Sequence, residues 1–297
     1  MRILLTGATG LVGQALVKRW QHEHQLFALS RNITQASKLL GPAVEVVSDL
    51  SQLDFNQLDA VVNLAGEPIA NKRWSERQKQ IICQSRWQLT EQLVQLVQQA
   101  TTPPHTLLNA SAVGFYGRQG PEAIDESYLS YYPEFTHDVC ARWENLANRA
   151  KSVKTRVCIT RIGIVLAEHG GALQKMLPAF KFGLGGTIGN GQQYMSWIHL
   201  DDLVASYDFL LQQPELSGVF NATAPMAVTN RQFTRMLAER LHRKAFFPMP
   251  ALLLKMLLGE MADLLLFGQN VYPQKLLDAG FQFQHSQLRH ALQALKL

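Results

Sequence analysis

Short apolar runs alternate with helical apolar spacing through the first half of the chain. Ile3-Leu4-Leu5, Gln25–Leu29, Val44–Val47, Ala60–Leu64, Thr106–Ser111 and Arg156–Arg161 each read as a strand. Between them, Leu11, Val12, Ala15, Leu16 and Val17 recur at the spacing of a helix. A long helix is predicted over 75–99 from Ile81, Ile82, Leu89, Leu93, Val94 and Val97, and another over 137–150. Strand and helix in strict alternation predict a parallel sheet wound in both directions. The expected fold is therefore α/β: a Rossmann-type doubly wound parallel sheet over residues 1–165, with a smaller mixed C-terminal substrate lobe over 166–297. Strands within 200–225 are expected to return to the sheet.

The first strand runs into Gly7, Gly10 and Gly13, and the first helical pattern starts inside that glycine spacing. Such a turn aims backbone N–H groups and the positive end of a helix dipole at a pyrophosphate. The second strand ends in Ser30-Arg31-Asn32. An acid here would hold the ribose 2′-hydroxyl of NAD; an Arg suits a 2′-phosphate and points to NADP(H). Ligands of such sheets sit beyond the carboxyl ends of the strands. The expected cofactor contacts are Gly7, Thr9, Gly10, Leu11, Val12, Arg31, Asn32, Asp49, Leu50, Leu64, Ala65, Gly66, Glu67, Arg86, Ser111 and Arg161.

After residue 170 the pattern changes. Residues 183–191 are glycine-dense without the Lys-Ser/Thr of a P-loop and read as a loop crossing the crevice. Residues 245–268 are strongly apolar, but Pro248, Pro250, Lys255, Glu260 and Asp263 interrupt any membrane span. The bland reading of this segment is a buried helical lobe; a partner-binding surface is the alternative. Together with the 183–191 loop it is expected to wall a pocket facing the nicotinamide, with Glu67, Tyr116 and Gln193 as polar groups. His199-Asp201-Asp202 reads as a helix start capped by one of the two acids, and no metal is expected.

Three cysteines, Cys83, Cys140 and Cys158, have no metal-ligand spacing and fit a reducing cytoplasm. The net charge of +5 is spread along the chain, so nucleic acid is not an expected partner, and with no spanning segment neither is a membrane. The expected partner is a small-molecule substrate, and the expected state a monomer or homodimer.

TGATGLVG at 6–13, NLAGEPIANKRW at 63–74, SR at 85–86, RIGIVL at 161–166, GLGGTIGNGQQYMSWIHLDDL at 183–203 and FNATAP at 220–225 occur together. Over essentially its whole length the chain resembles the extended and atypical short-chain dehydrogenase/reductases, and within them the YfcH-type epimerase family. The resemblance implies NADP(H) binding and a fold like that of nucleoside-diphosphate-sugar epimerases and dehydratases. It also implies a Ser/Thr, a Tyr and a Lys for proton transfer, the Lys lowering the pKa of the Tyr. Anchored on Trp143-Glu144, those positions here are Ala112, Thr136 and Cys140. The triad is missing, with Ser111 one residue off. Weak catalytic candidates are Ser111 and Tyr116; Tyr131, Tyr132, His137 and Glu67 are further substitutes. Two functions compete: an NADP(H)-dependent oxidoreductase or epimerase-like enzyme with a non-standard acid/base group, and a non-catalytic NADP(H)-binding sensor or scaffold.

Overall fold

The computed structural model describes residues 1–297. In chain order the strands and helices are β1 (Arg2–Thr6), α1 (Leu11–Trp20), β2 (Gln25–Leu29), α2 (Ile33–Leu40), β3 (Val44–Val47), β4 (Ala60–Asn63), α3 (Glu76–Gln99), β5 (Thr106–Ala112), β6 (Ala123–Ile124), α4 (Phe135–Asn148) and β7 (Arg156–Ile162). They continue as β8 (Ile164–Leu166), α5 (Gly171–Lys181), β9 (Tyr194–Met195), β10 (Trp197–His199), α6 (Leu200–Gln212), β11 (Gly218–Ala222), β12 (Val228–Thr229) and α7 (Asn230–Arg240). The chain ends with α8 (Ala251–Leu258), α9 (Asp263–Leu266), β13 (Asn270–Val271), α10 (Gln274–Asp278) and α11 (Leu288–Ala294).

Seven strands form one parallel sheet in the order β11-β7-β5-β4-β1-β2-β3. The chain winds outward from β1 through β2 and β3, then crosses back to β4 and winds the other way. The order therefore reverses between β1 and β4, and a crevice opens at their carboxyl ends.

Helices cover both faces, which is why the strands carry apolar residues on both sides. Ile3, Leu5, Ala28, Val62 and Phe220 pack under α1 and α6 through Leu16, Trp20, Leu203, Tyr207 and Leu210. Leu4, Phe27, Val61, Leu107 and Val157 pack under α3 through Leu93, Val94 and Val97. Ser75 caps α3, its side chain accepting the Gln78 N–H. The helix foreseen over 137–150 runs from Phe135 to Asn148.

Beyond residue 165, β11 joins the sheet beside β7 in parallel, and Leu276 and Phe281 enter the same core as α6. A second core, built on Leu173, Leu177, Phe180, Trp197, Phe233, Leu237 and Leu292, holds α5, α7 and α11 together. The later chain thus supplies both an edge of the sheet and a lobe of its own. No helix is long and apolar enough to cross a membrane.

Candidate functional site

At the reversal point Gly7 adopts φ +72°, and a Cβ there would lie 2.8 Å from the Leu64 carbonyl carbon. A Cβ on Gly13 would lie 2.4 Å from the Gly7 carbonyl oxygen. The two glycines let the turn, β4 and α1 close on one another. Gly10 is exposed and its Cβ position meets only the Gly7 oxygen, so its outer side is open. Helix α1 starts without a side-chain cap and with no acid in its first turn. The N–H groups of Leu11, Val12 and Gly13 donate to no other backbone group. Three unspent donors at a helix N-terminus make an anion cradle. Thr9 borders it, its carbonyl held by the Gln14 amide at 2.7 Å.

At the end of β2, Asn32 caps α2 by accepting the Gln35 N–H at 3.0 Å. Arg31 is exposed, and its guanidinium has no ion pair or hydrogen bond within the protein. Asp49 caps a short turn through the Ser51 N–H, and Leu50 is buried beneath it.

The turn after β4 is built on Arg86. The guanidinium lies flat against Gly66, where a Cβ would come within 2.7 Å of Cζ. Its Nη1 donates to the Glu67 and Ile82 carbonyls, both at 3.0 Å, and Trp143 lies 5.2 Å from it. The Ser85 hydroxyl accepts the Glu67 N–H. No carboxylate pairs with Arg86, and burial pushes its pKa below the ordinary value. Nε and Nη2 hold N–H groups that no protein atom accepts. A largely buried cation with spare donors beside the crevice calls for an anionic or carbonyl ligand.

Below the crevice runs a polar row that the sequence reading missed. Thr6 donates to Asn63 at 2.6 Å; Asn63 donates to Asn109 at 2.6 Å and to Thr90 at 2.8 Å; the Trp143 indole donates to Thr90 at 2.9 Å. These residues tie β1, β4, β5, α3 and α4 together under the ligand side. Thr6 and Asn63 end β1 and β4 and Asn109 lies within β5, and no local pattern names the partners that each of them takes.

Ser111, Glu144 and Arg161 converge at the ends of β5 and β7. The Ser111 hydroxyl donates to Glu144 at 2.6 Å, and Arg161 grips the same carboxylate through Nε at 2.9 Å and Nη2 at 2.8 Å. The Phe115 ring lies over the Arg161 guanidinium. Both expected contacts, Ser111 and Arg161, are therefore buried and engaged within the protein. Cys140 lies beside Ser111, and burial, with the nearby Glu144 charge, pushes its pKa up to about 11. A thiol so placed is protonated at neutral pH and cannot replace a Lys.

Tyr116 is fully buried, its hydroxyl 2.8 Å from Asn221 Oδ1 and 3.1 Å from the Asp125 carbonyl oxygen. Burial raises its pKa despite the Arg161 charge nearby. Tyr131 is stacked on His137 at 3.8 Å, and His137 Nδ1 lies 2.5 Å from the Phe115 carbonyl oxygen. Tyr132 is half exposed beneath Arg118. No Tyr–Lys pair is formed.

The cap of α6 differs from the expectation. His199 itself is the cap, Nδ1 accepting the Asp201 N–H at 3.2 Å. Asp202 points away, fully buried, and accepts the Gln284 and His285 N–H groups at 2.8 and 2.9 Å. His285 packs its ring on His199 at 3.9 Å. One ligand atom each of His199, Asp201 and His285 lies within 4.8 Å of the others; His199 Nδ1 serves the cap, and its buried Nε2 has no partner. The cluster works as the joint that fastens the C-terminal segment to α6.

The 183–191 loop lies beside the start of the apolar segment. Met249 N–H donates to Thr187, and Gly189 N–H to Met249, both at 2.9 Å. The Gln193 amide donates to the Leu265 and Ile188 carbonyls. Lys79 pairs with Glu260, and Arg118 with Asp263, so the turn after α8, and α9 itself, are tied to the first half of the chain. The segment is not a simply buried lobe, because much of its apolar surface is exposed.

Residues 3–222 match the NAD dependent epimerase/dehydratase family, and residues 249–295 match a domain of unknown function, DUF1731. The chain belongs to the NAD-dependent epimerase/dehydratase family. An epimerase family protein of Staphylococcus haemolyticus is 38% identical over 99% of this chain and 98% of its own length. The chloroplastic SDR39U1 homolog of Arabidopsis thaliana is 37% identical, over 99% of this chain and 86% of that protein. Among solved structures, the human epimerase family protein SDR39U1, crystallised with NADPH, superposes with a TM-score of 0.90 at 33% identity, covering 98% of each chain. A nucleoside-diphosphate sugar epimerase of Corynebacterium glutamicum gives 0.76 at 30% identity, over 98% of this chain and 57% of that one. The α/β fold expected from the alternation of strand and helix is the fold of these structures.

Proposed function

We propose that this family member is an NADP(H)-dependent enzyme, an oxidoreductase or epimerase-like catalyst of a small molecule, that works without the Ser/Tyr/Lys triad. One observation carries the cofactor: an uncapped helix N-terminus with unspent N–H groups opens at the sheet's reversal point, with the free Arg31 guanidinium at the neighbouring strand end. The relative crystallised with NADPH supports the same reading. Gly7, Thr9, Gly10, Leu11 and Val12 would hold the pyrophosphate. Arg31 and Asn32 would hold the 2′-phosphate end. Asp49 and Leu50 would border the adenine, and Leu64–Glu67 with Arg86 the nicotinamide half. The cofactor would supply hydride exchange at its nicotinamide. Ser111 and Arg161 would act under this site as supports, through Glu144.

The second reading, a non-catalytic NADP(H)-binding sensor or scaffold, is favoured by Ser111 being spent on Glu144 and by the neutral Cys140 thiol. The exposed apolar surface of the 245–268 segment, tied to the first half of the chain through Lys79 and Arg118, favours a substrate and hence the enzyme. The deciding experiment is spectrophotometric: purified protein with NADPH and a panel of carbonyl metabolites, and with NADP⁺ and alcohols or sugar nucleotides, followed at the nicotinamide absorbance. Turnover with any substrate class supports the enzyme. Tight NADPH binding with no turnover across the panel supports the sensor, and no NADPH binding overturns both.

A further inference from the structure

Eight large apolar side chains of this protein are at least 61% exposed, and six of them lie in two adjoining segments. Phe182 and Leu184 follow α5; Phe246 and Phe247 precede α8; Leu252 and Met256 stand one turn apart on α8. The other two, Leu129 and Val153, stand singly elsewhere, as isolated surface apolar residues commonly do. The backbone fixes the two segments side by side. Arg243 Nε donates to the Lys181 carbonyl at 3.1 Å, and Phe247 N–H approaches the Gly185 carbonyl. Gly186 lies so close that a Cβ would strike the Phe247 carbonyl oxygen. Leu254, on the opposite side of α8, is buried and anchors the helix. The result is one apolar face with four phenylalanine or leucine side chains at its loop end and, at the other, a short helix whose only polar residue is Lys255.

The charge around this face is of one sign. Residues 179–190 and 240–259 contain no Asp or Glu. Lys181, Arg243, Lys244 and Lys255 are exposed around the face, and none of them forms an ion pair. Lys244 lies 5.6 Å from the Phe246 ring. Apolar and aromatic side chains projecting between unpaired cations match an anionic bilayer surface: the rings enter the headgroup boundary while the ammonium groups meet phosphate. A second copy is the poorer match, because a two-fold contact through this face would set four cations against four.

We propose that the face formed by residues 181–187 and 243–257 docks the protein reversibly on an anionic membrane surface. The absence of a membrane span, from which no membrane partner was expected, does not bear on such surface contact. The proposal is independent of the cofactor reading.

The test is co-sedimentation of the full-length protein with large vesicles of phosphatidylcholine alone and with about 30 mol% phosphatidylserine added. The anionic vesicles should pellet at least tenfold more protein, and raising salt from about 0.1 to about 0.5 M should release it. Lys244→Gln should weaken binding about fivefold, the worth of one cation near the surface. Phe246→Ser/Phe247→Ser, and independently Leu252→Ser/Met256→Ser, should abolish it while unfolding temperature stays unchanged, since all four side chains are exposed. Absence of binding to either vesicle overturns the proposal. So does binding that both serine variants retain, which would make it charge alone. Self-association in sedimentation velocity, lost in the serine variants and unaccompanied by vesicle binding, overturns it in favour of a contact between copies.

Discussion

The Ser111 hydroxyl points its proton at Glu144, 2.6 Å away, and not into the crevice. The same carboxylate takes two N–H bonds from Arg161, and all three side chains are buried. Three hydrogen bonds thus converge on one buried carboxylate. Removing one partner strands the other charge in the interior, at a cost of about 3–5 kcal/mol. Glu144→Gln is therefore expected to lower stability by that amount in urea unfolding. Glu144→Leu/Arg161→Met should cost less than either single change, because neither charge remains. A Glu144→Gln protein as stable as the parent would show that the pair carries no such constraint.

Anchored on Trp143-Glu144, the position at which the resemblance implies a Lys is Cys140, and its thiol is kept neutral by burial. With Ala112 and Thr136 at the other two positions, no Lys stands beside a tyrosine, and burial outweighs the Arg161 charge at Tyr116. The expected outcome is no appreciable interconversion of UDP-galactose and UDP-glucose, at rates far below the ~1–1,000 per second of ordinary enzymes. Cys140 should also resist alkylation at neutral pH. Measured epimerisation at ordinary rates would refute the assignment of the three positions.

The fold was largely legible in the chain, and the site only in part. Strands such as Ala60–Asn63 are short apolar runs between helices of clear period, so a parallel, doubly wound sheet follows from their alternation. The glycine turn was legible because Gly7 and Gly13 have steric reasons to be glycine that hold in any such turn. The Thr6–Asn63–Asn109–Thr90 row was not, because each residue is polar for the sake of a partner distant in sequence. The His199 cap was misassigned to the acids for a related reason. Asp202 is committed to backbone groups more than eighty residues away, which local pattern cannot reveal.

Arg31 is exposed and unpaired, so its substitution leaves the fold intact. If it meets a 2′-phosphate, one charge-assisted contact worth about 1.5–3 kcal/mol separates NADPH from NADH. Calorimetry should give at least tenfold tighter binding of NADPH, and Arg31→Ala should remove most of the difference with little change for NADH. Equal affinities in the parent protein would refute this.

Gly66 and Arg86 offer a second handle on the same site. A methyl group at Gly66 would collide with the guanidinium at 2.7 Å and push it off the Glu67 carbonyl. Gly66→Ala and Arg86→Met are each expected to weaken NADPH binding at least tenfold, since both take the spare donors from the crevice. Arg86→Met should weaken NADH equally, which separates its role from that of Arg31. Unchanged affinity in both variants would show that Arg86 only supports the turn.

His199 carries the pH dependence of the C-terminal joint. Burial lowers its pKa first, and the facing His285 ring lowers it further; Asp201, Asp202 and Glu168 oppose the shift. In the unfolded chain His titrates near its ordinary value of about 6.5. Below that pH the unfolded chain takes up a proton that the folded protein resists, so folding stability falls. The contribution is complete above the ordinary value and is lost as pH drops through the depressed native pKa. The expected outcome is an unfolding temperature that declines as pH falls below about 6.5, more steeply than in a His285→Gln variant, where one of the two lowering influences is gone. Amide hydrogen exchange gives the local readout. The Gln284 and His285 N–H groups are held by Asp202, so they should lose protection over the same range before the central sheet does. Equal pH profiles for the parent and His285→Gln, with no early loss of protection at 284 and 285, would show that the joint does not respond to protonation of His199.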